Sequence, residues 1–343
     1  MNAIPPIGPA AVFSAPFAVG GCLIPNRVVL APMAGITNRP FRLHMKSHGA
    51  GLVYSEMASS YGLLHANSRT SHYIEVAEEE RPVGVQLFGD DPATLATAVR
   101  LVLDRAQRPD IIDINLGCPV KKVVKTGAGA ALLSDPARAV AAAAAVVAAA
   151  AEFGVPVTAK IRSGPDPEHV IAPQLARQLE QAGVAALGLH PRAATQFYRG
   201  RADHDVTARV VEQVGIPVMA SGDIDSFAGA SDVLTRTGAA AVMVGRGVLG
   251  DPWLVGRILA GTDDPTPRLT ELIEDLRTLY RATLHSMGEK RAVPWMRKHV
   301  AWYLRRGGVR GTAIEDFVRL RSFAEVDEAL SLLVEGVAPE DVR

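Results

Sequence analysis

Residues 113–122 read Asp-Ile-Asn-Leu-Gly-Cys-Pro-Val-Lys-Lys and set Cys118, one of two cysteines in the chain, at the end of an apolar, β-branched run. A cysteine so placed can pack as a small hydrophobe, ligate a metal, or exchange a proton. Structural zinc is disfavoured, because no CxxC pair exists and Cys22 stands alone far upstream. Packing is the ordinary fate of a free cysteine. The flanks argue for more. Pro119 is a helix-starting residue, and a helix N-terminus with Lys121 and Lys122 beside it is expected to lower the thiol's pKa or poise it to exchange a proton. Cys22 lacks this setting and reads as structural.

Other groups able to do chemistry fall at comparable points. Successive apolar runs end at Glu56, Gln86, Asn115, Lys160 with Arg162, His190 with Arg192, Ser221-Gly222-Asp223, and Gly245-Arg246. Glycines after strands let backbone N–H groups approach an anion, and Arg246 can add a charge-assisted contact, so the last two runs predict a phosphate site. The remaining residues suit flavin mononucleotide (FMN). Gln86 offers a donor and an acceptor to a ring edge, Lys160 can face the pole where reduced flavin is negative, and Pro32-Met33-Ala34 offers a flat, polarizable backing. No metal is expected: Glu56, Asp113 and Asp223 are interleaved with cations, and His44, His48, His65 and His72 lack a ligand-like grouping.

The elements that must position these residues are legible too. Eight apolar runs recur: 28–33, 51–57, 83–88, 111–117, 156–162, 186–192, 217–223 and 241–246, with helical stretches such as 92–106 and 173–183 between them. Near-continuous apolar strands alternating with helices are covered on both faces and therefore parallel. Gly154, Gly183, Gly215 and Gly238 stand where helices would close. Eight such units predict an α/β fold, a (β/α)8 TIM barrel, which gathers every strand's C-terminal end at one mouth. A doubly wound sheet is the alternative, but the first strand runs into APMAGITNRPF without the GxGxxG turn. Residues 1–26 read as an N-terminal segment with a hairpin capping the barrel bottom, 27–258 as the barrel, and 265–343 as a C-terminal all-helical domain.

A formal net charge of zero excludes a bulk pull toward nucleic acid, so such a partner needs a local basic patch. Residues 268–310 supply one, with ten Arg and Lys against four Asp and Glu, whereas 311–343 carry three against eight. Arg277, Arg281, Lys290, Arg291, Arg297, Lys298, Arg305, Arg306 and Arg310 are candidates for a stripe that meets backbone phosphates. A solvated helix face is the plainer alternative. Trp295, Trp302 and Tyr303 read as core anchors. The first residues lack the basic and apolar regions of an export signal, and the alanine-rich run 139–151 reads as a buried helix face, not a membrane span. A cytoplasmic location is the expectation.

The chain resembles the flavin-dependent tRNA-dihydrouridine synthases, nearest their bacterial B-type or nitrogen-regulation-protein-like group. The likeness is carried by APMAGITNRPFR (31–42), YSEM (54–57), VQLFG (85–89), IDINLGCPVKKVVKTGAGAALL (112–133), VTAKIRSG (157–164), GLHPRAATQFYRG (188–200), SGDI (221–224), VMVGRGVLGDPW (242–253) and MRKHVAWYLRR (296–306), and it spans nearly the whole chain. The resemblance implies reduction of the C5–C6 double bond of one uridine in tRNA, by hydride from reduced FMN that NADPH regenerates. It implies Cys118 as the acid that protonates C5, and Pro32, Met33, Gln86, Lys160 and His190 as contacts to the ring or ribityl part. Ser221, Gly222, Asp223, Gly245 and Arg246 would serve the phosphate. Asn115 and Arg162 would hold the uracil, with Lys121 and Lys122 beside it, and the helical domain would bind tRNA. Two motifs depart from the family pattern: Ser221 replaces an asparagine, and His190-Pro191-Arg192-Ala193 replaces His-Gly-Arg-Thr, leaving Thr195 as a candidate for the missing hydroxyl. Two other functions compete, an FMN enzyme of a free pyrimidine resembling dihydroorotate dehydrogenase, and a non-catalytic tRNA-binding barrel. The basic tail argues against the first and Cys118 against the second. A monomer is favoured over a dimer.

Overall fold

Strands form where consecutive residues are apolar and can be covered on both faces. In the computed structural model these are β1 (Val28–Leu30), β2 (Leu52–Tyr54), β3 (Val83–Phe88), β4 (Ile111–Asn115), β5 (Val157–Arg162), β6 (Ala186–His190), β7 (Val218–Ser221) and β8 (Ala241–Val244), and all their residues but Phe88 and Lys160 are buried. Each pairs in parallel with the next, and β8 returns to β1 through Val242↔Val28 and Val244↔Leu30. The sheet therefore closes, as the alternation predicts. Most strands are shorter than their apolar runs, whereas β3 spans its whole run, Val83–Phe88. The structure describes residues 9–65, 71–264 and 267–335, so the ends of the expected N-terminal segment and helical domain, residues 1–8, 265–266 and 336–343, lie outside the described residues.

The barrel fills from the end where its strands begin. Val29, Leu52, Ile111, Ala186, Met219 and Ala241 form one buried cluster with Val19 and Ile24, which come from an antiparallel hairpin of Phe17–Val19 and Cys22–Ile24. Cys22 packs against that cluster, and burial, with the Asp110 charge, pushes its thiol pKa up. Helix boundaries follow local chemistry. Asp135 accepts from Arg138 N–H at 3.1 Å to start the alanine-rich helix Pro136–Ala151, whose Ala139, Ala142, Ala143, Val146, Ala149 and Ala150 are buried. Gly238, at φ 67°, ends the helix Phe227–Thr237 in the left-handed region.

The chain forms two compact units. The first runs to Gly245 and includes Val255–Thr262; the second comprises Arg246–Leu254 and the chain from Asp263 on. Among the described residues the second unit holds helices Leu269–Met287, Glu289–Arg306, Thr312–Arg319 and Phe323–Val334 and no strand. Its core includes Leu272, Leu276, Tyr280, Met296, Tyr303, Phe317 and Leu330. Trp295 stacks on the buried His299 with ring centroids 4.3 Å apart. No described helix is long and apolar enough to cross a membrane.

Candidate active site

The parallel register lines up polar residues that interrupt otherwise apolar strands. Gln86 of β3 pairs with Asp113 of β4, and Asp113 with Thr158 of β5. All three are buried and face one another: Gln86 Nε2 donates to Asp113 Oδ2 at 2.6 Å, and Thr158 Oγ1 donates to Oδ1 at 2.6 Å. Burial lifts the Asp113 carboxyl to about 6, against the two hydrogen bonds and the Lys160 charge, which favour its ionised form. One step nearer the mouth, Asn115 pairs with Lys160 and Lys160 with Gly188. A Cβ on Gly188 would come 3.1 Å from Met243 Cε and 3.4 Å from Lys160 Cγ, so the bare glycine lets both side chains pack close. Burial lowers Lys160 to about 8, helped by the neighbouring Arg162 and resisted by Asp113 and Cys118.

The thiol loop hangs from this layer. Asn115 Oδ1 accepts from Cys118 N–H at 2.9 Å and from Gly117 N–H at 3.2 Å, while its Nδ2 donates to Gln86 Oε1 at 2.9 Å. The Asn115 amide expected to grip a substrate thus supports the loop that carries Cys118. Cys118 is half-buried, and its pKa is raised, not lowered. Burial outweighs the Val120 backbone N–H and the charges of Arg162 and Lys160, all of which favour thiolate. The expected helix N-terminus fails for two reasons. The helix begins only at Lys121 and spans Lys121–Val124, and both Lys121 and Lys122 are exposed, so their ammonium groups stay in water. The cations that bear on the thiol come from β5.

Around the rim, Met33 is held by Thr37, whose Oγ1 accepts from Met33 N–H at 3.1 Å, and Glu56 accepts from Gly35 N–H. Pro32 and Met33 are half-buried on that loop. Arg162, 3% exposed, gives its Nη1 to the carbonyls of Ala193 at 3.0 Å and Phe197 at 2.8 Å. It ties down a loop where Phe197 is held at φ 53°, and its guanidinium lies 5.7 Å from the Tyr198 ring centroid. Arg192, a strand-end cation in the sequence, organises the opposite side. It is buried, its Nη2 meets both carboxylate oxygens of Asp223 at 2.8 and 2.7 Å, and its Nη1 lies 3.1 Å from His190 Nε2. A guanidinium can only donate, so His190 Nε2 accepts and the ring is neutral with its proton on Nδ1. The side chain of Asp223 also accepts from Ala202 N–H at 2.8 Å, which anchors the 199–202 segment. The two-residue spacing of His190 and Arg192 at a strand end was the signal for this pair.

Two glycines of the expected phosphate site differ in kind. Gly222 stands at φ 114°, and a Cβ there would lie 2.9 Å from both Ala202 Cβ and His190 Cδ2. At Gly245 a Cβ would meet only Ala31 Cβ and Met33 Sδ, each at 3.8 Å, ordinary contacts that leave room for a methyl group. Ser221 is buried at the end of β7. Arg246, assigned to the second unit, is exposed at the start of the 3-10 turn Arg246–Val248.

The pattern of the Dihydrouridine synthase (Dus) family matches residues 29–327. The chain belongs to the dihydrouridine synthase family. It is 41% identical over 281 residues to a "Probable tRNA-dihydrouridine synthase" of Rhizobium leguminosarum, covering 82% of this chain and 86% of that one. It is also 41% identical over 292 residues to "tRNA-dihydrouridine synthase B" of Pseudomonas aeruginosa, covering 83% and 86%. In fold it resembles the old yellow enzyme from Trypanosoma cruzi, with a TM-score of 0.55 at 12% identity over 80% of this chain and 96% of that one.

Within this dihydrouridine synthase the two departures have local consequences. Pro191 still offers its carbonyl, which accepts from Asp203 N–H at 3.1 Å. Ala193 is buried and its N–H is taken by Gln196 Oε1 at 2.7 Å, while Thr195 is exposed and does not supply the missing hydroxyl. The basic residues of the second unit also divide. Arg277 is locked by Asp327, Ser331 and Glu274, each at 2.6 Å, and Arg306 pairs with the buried Asp251 at 2.5 Å. These two hold the helical unit together. Arg281, Lys290, Arg291, Arg297 and Arg305 are exposed, and Lys298 lies 4.6 Å over the Trp295 ring.

Proposed function

We propose that this dihydrouridine synthase is a cytoplasmic, FMN-dependent enzyme that reduces the C5–C6 bond of a uridine in tRNA, with NADPH as reductant and Cys118 as proton donor. The residues at the mouth fit the flavin. Lys160 is a cation deep in a low-dielectric site, Gln86 keeps a second Nε2 hydrogen free of Asp113, and Gly245 leaves a bare floor beside Met33. His190 lies at the same mouth, with its Nε2 3.1 Å from Arg192 Nη1. Bound there, FMN supplies the hydride that uracil C6 receives.

Cys118 supplies the proton for C5. A thiol raised by burial keeps its proton at neutral pH, which a general acid requires, and Lys160 and Arg162 stabilise the thiolate left behind. The same cations stabilise negative charge developing on the uracil carbonyls. A uridine must leave its stack to enter the mouth, at a cost of a few kcal/mol, so wider contacts to the tRNA are needed. The exposed Arg281, Lys290, Arg291, Arg297 and Arg305, with the half-buried Lys298, supply them by meeting backbone phosphates.

The observation that carries this reading is a half-buried thiol, kept protonated by its surroundings, flanked by Lys160 and Arg162. The test is anaerobic: full-length protein with bound flavin is reduced by NADPH and mixed with unmodified tRNA. Reoxidation by tRNA and not by orotate or free uridine is expected, and Cys118→Ala is expected to slow it about 100-fold. Reoxidation by a small pyrimidine alone, or an unchanged rate in Cys118→Ala, overturns the reading.

A further inference from the structure

The hydrogen bonds beneath the thiol loop form one continuous chain with an obligatory acceptor, Asp113, at one end and two obligatory donors, the Gly117 and Cys118 N–H groups, at the other. Thr158 Oγ1 gives its only hydrogen to Asp113, so the Tyr54 hydroxyl, 3.2 Å away, must donate to Thr158. Asp113, 2% exposed, accepts on both oxygens, and an ionised carboxylate can do nothing else. Gln86 must therefore turn its NH2 toward Asp113 and its oxygen toward Asn115. That oxygen takes Asn115 Nδ2–H, which leaves Asn115 Oδ1 facing the loop, where it receives the N–H groups of Gly117 and Cys118.

We infer that Asp113 is the positioning residue of the proton donor, fixing the Cys118 loop through the amide orientations of Gln86 and Asn115. Neither amide has an intrinsic preference between its two orientations. If Gln86 rotated, its NH2 would face the NH2 of Asn115; if Asn115 followed, its NH2 would face the two loop N–H groups, donor against donor. An obligatory acceptor at position 113 excludes both. Asp113 touches none of the reacting atoms, and its influence crosses two side chains before it reaches the thiol. Its importance to catalysis rests on the proposed role of Cys118; its hold on the loop does not.

The experiment measures thiol alkylation separately from turnover. Full-length, flavin-loaded protein is treated with iodoacetamide, and Cys118 and Cys22 are followed by peptide mass spectrometry, with Cys22 in the bottom hairpin as internal reference. Asp113→Leu removes the acceptor; Asp113→Asn keeps an oxygen for Gln86. Loss of the loop's two hydrogen bonds in Asp113→Leu is expected to change the Cys118 rate by about fivefold or more, with Cys22 unaffected. Asp113→Asn is expected within about twofold of wild type. Reoxidation by tRNA should slow in the same order. If Asp113→Leu does not fold, Asp113→Ala also removes the acceptor and the same alkylation criterion applies. An unchanged Cys118 rate in the leucine variant, or equal effects of leucine and asparagine, overturns the inference. Should Cys118→Ala keep full tRNA turnover while Asp113→Leu still alters alkylation, the proton-donor reading fails and the positioning role stands.

Discussion

Lys160→Met is expected to make the flavin-free protein more stable at pH 7 while removing its function. The lysine sits at the end of β5 with Arg162 beside it, and burial moves it from an ordinary 10.5 to about 8. At roughly 1.4 kcal/mol for each tenfold change in proton affinity, holding the charged form in this site costs about 3 kcal/mol at neutral pH. Part of the side chain faces the mouth, where water softens the penalty, and removing the ammonium takes a stabilising charge from Asp113. A net gain of about 1 kcal/mol remains. The sign with pH follows from proton counts. Between about 8 and 10.5 the unfolded chain binds more protons at this lysine than the native state, so wild-type stability rises with pH through that window. The methionine variant lacks this slope, and its advantage should vanish near the upper end. Urea unfolding of both flavin-free proteins at several pH values from 7 to above 10 reads the difference directly. A variant less stable at pH 7, or two curves that run parallel across the window, would refute the argument that burial dominates at Lys160. Flavin affinity, read by fluorescence, should fall at least about tenfold in the same variant.

Three further outcomes follow from the same geometry. Gly222→Ala forces a side chain to φ 114° and into Ala202 and His190, so it should lower stability by about 2 kcal/mol or more in a urea titration. Gly245→Ala should leave stability within about 1 kcal/mol, because its methyl meets only ordinary contacts, yet weaken flavin binding about tenfold by filling the floor beside Met33. In filter binding over a salt series, Arg291→Ala with Arg297→Ala should reduce the slope of log affinity against log salt by about 2. Arg277→Ala should instead leave that slope unchanged and destabilise the helical unit, because it breaks the contacts to Asp327 and Ser331.

What could be read from the chain alone was whatever depends on residue type repeated at regular intervals. Eight buried runs alternating with helices require parallel strands, and eight of them close, because edges left open would strand their backbone groups. The same repetition places Gln86, Cys118, Lys160, His190 and Gly245 at one end, since a barrel has only one end where its strands finish. The family motifs rest on these same positions. Sequence could not decide which partner each polar side chain takes, because those partners are distant in the chain and meet only through register. Asp113 and Thr158 are 45 positions apart, and Arg192 and Asp223 are 31 apart. Lys121 and Lys122 adjoin Cys118 in sequence, yet the turn leaves them in solvent, while Lys160 and Arg162 arrive from the neighbouring strand to act on the thiol. The thiol's pKa likewise turns on burial, a property of the packed barrel; there desolvation outweighs nearby charge, and the thiol holds its proton.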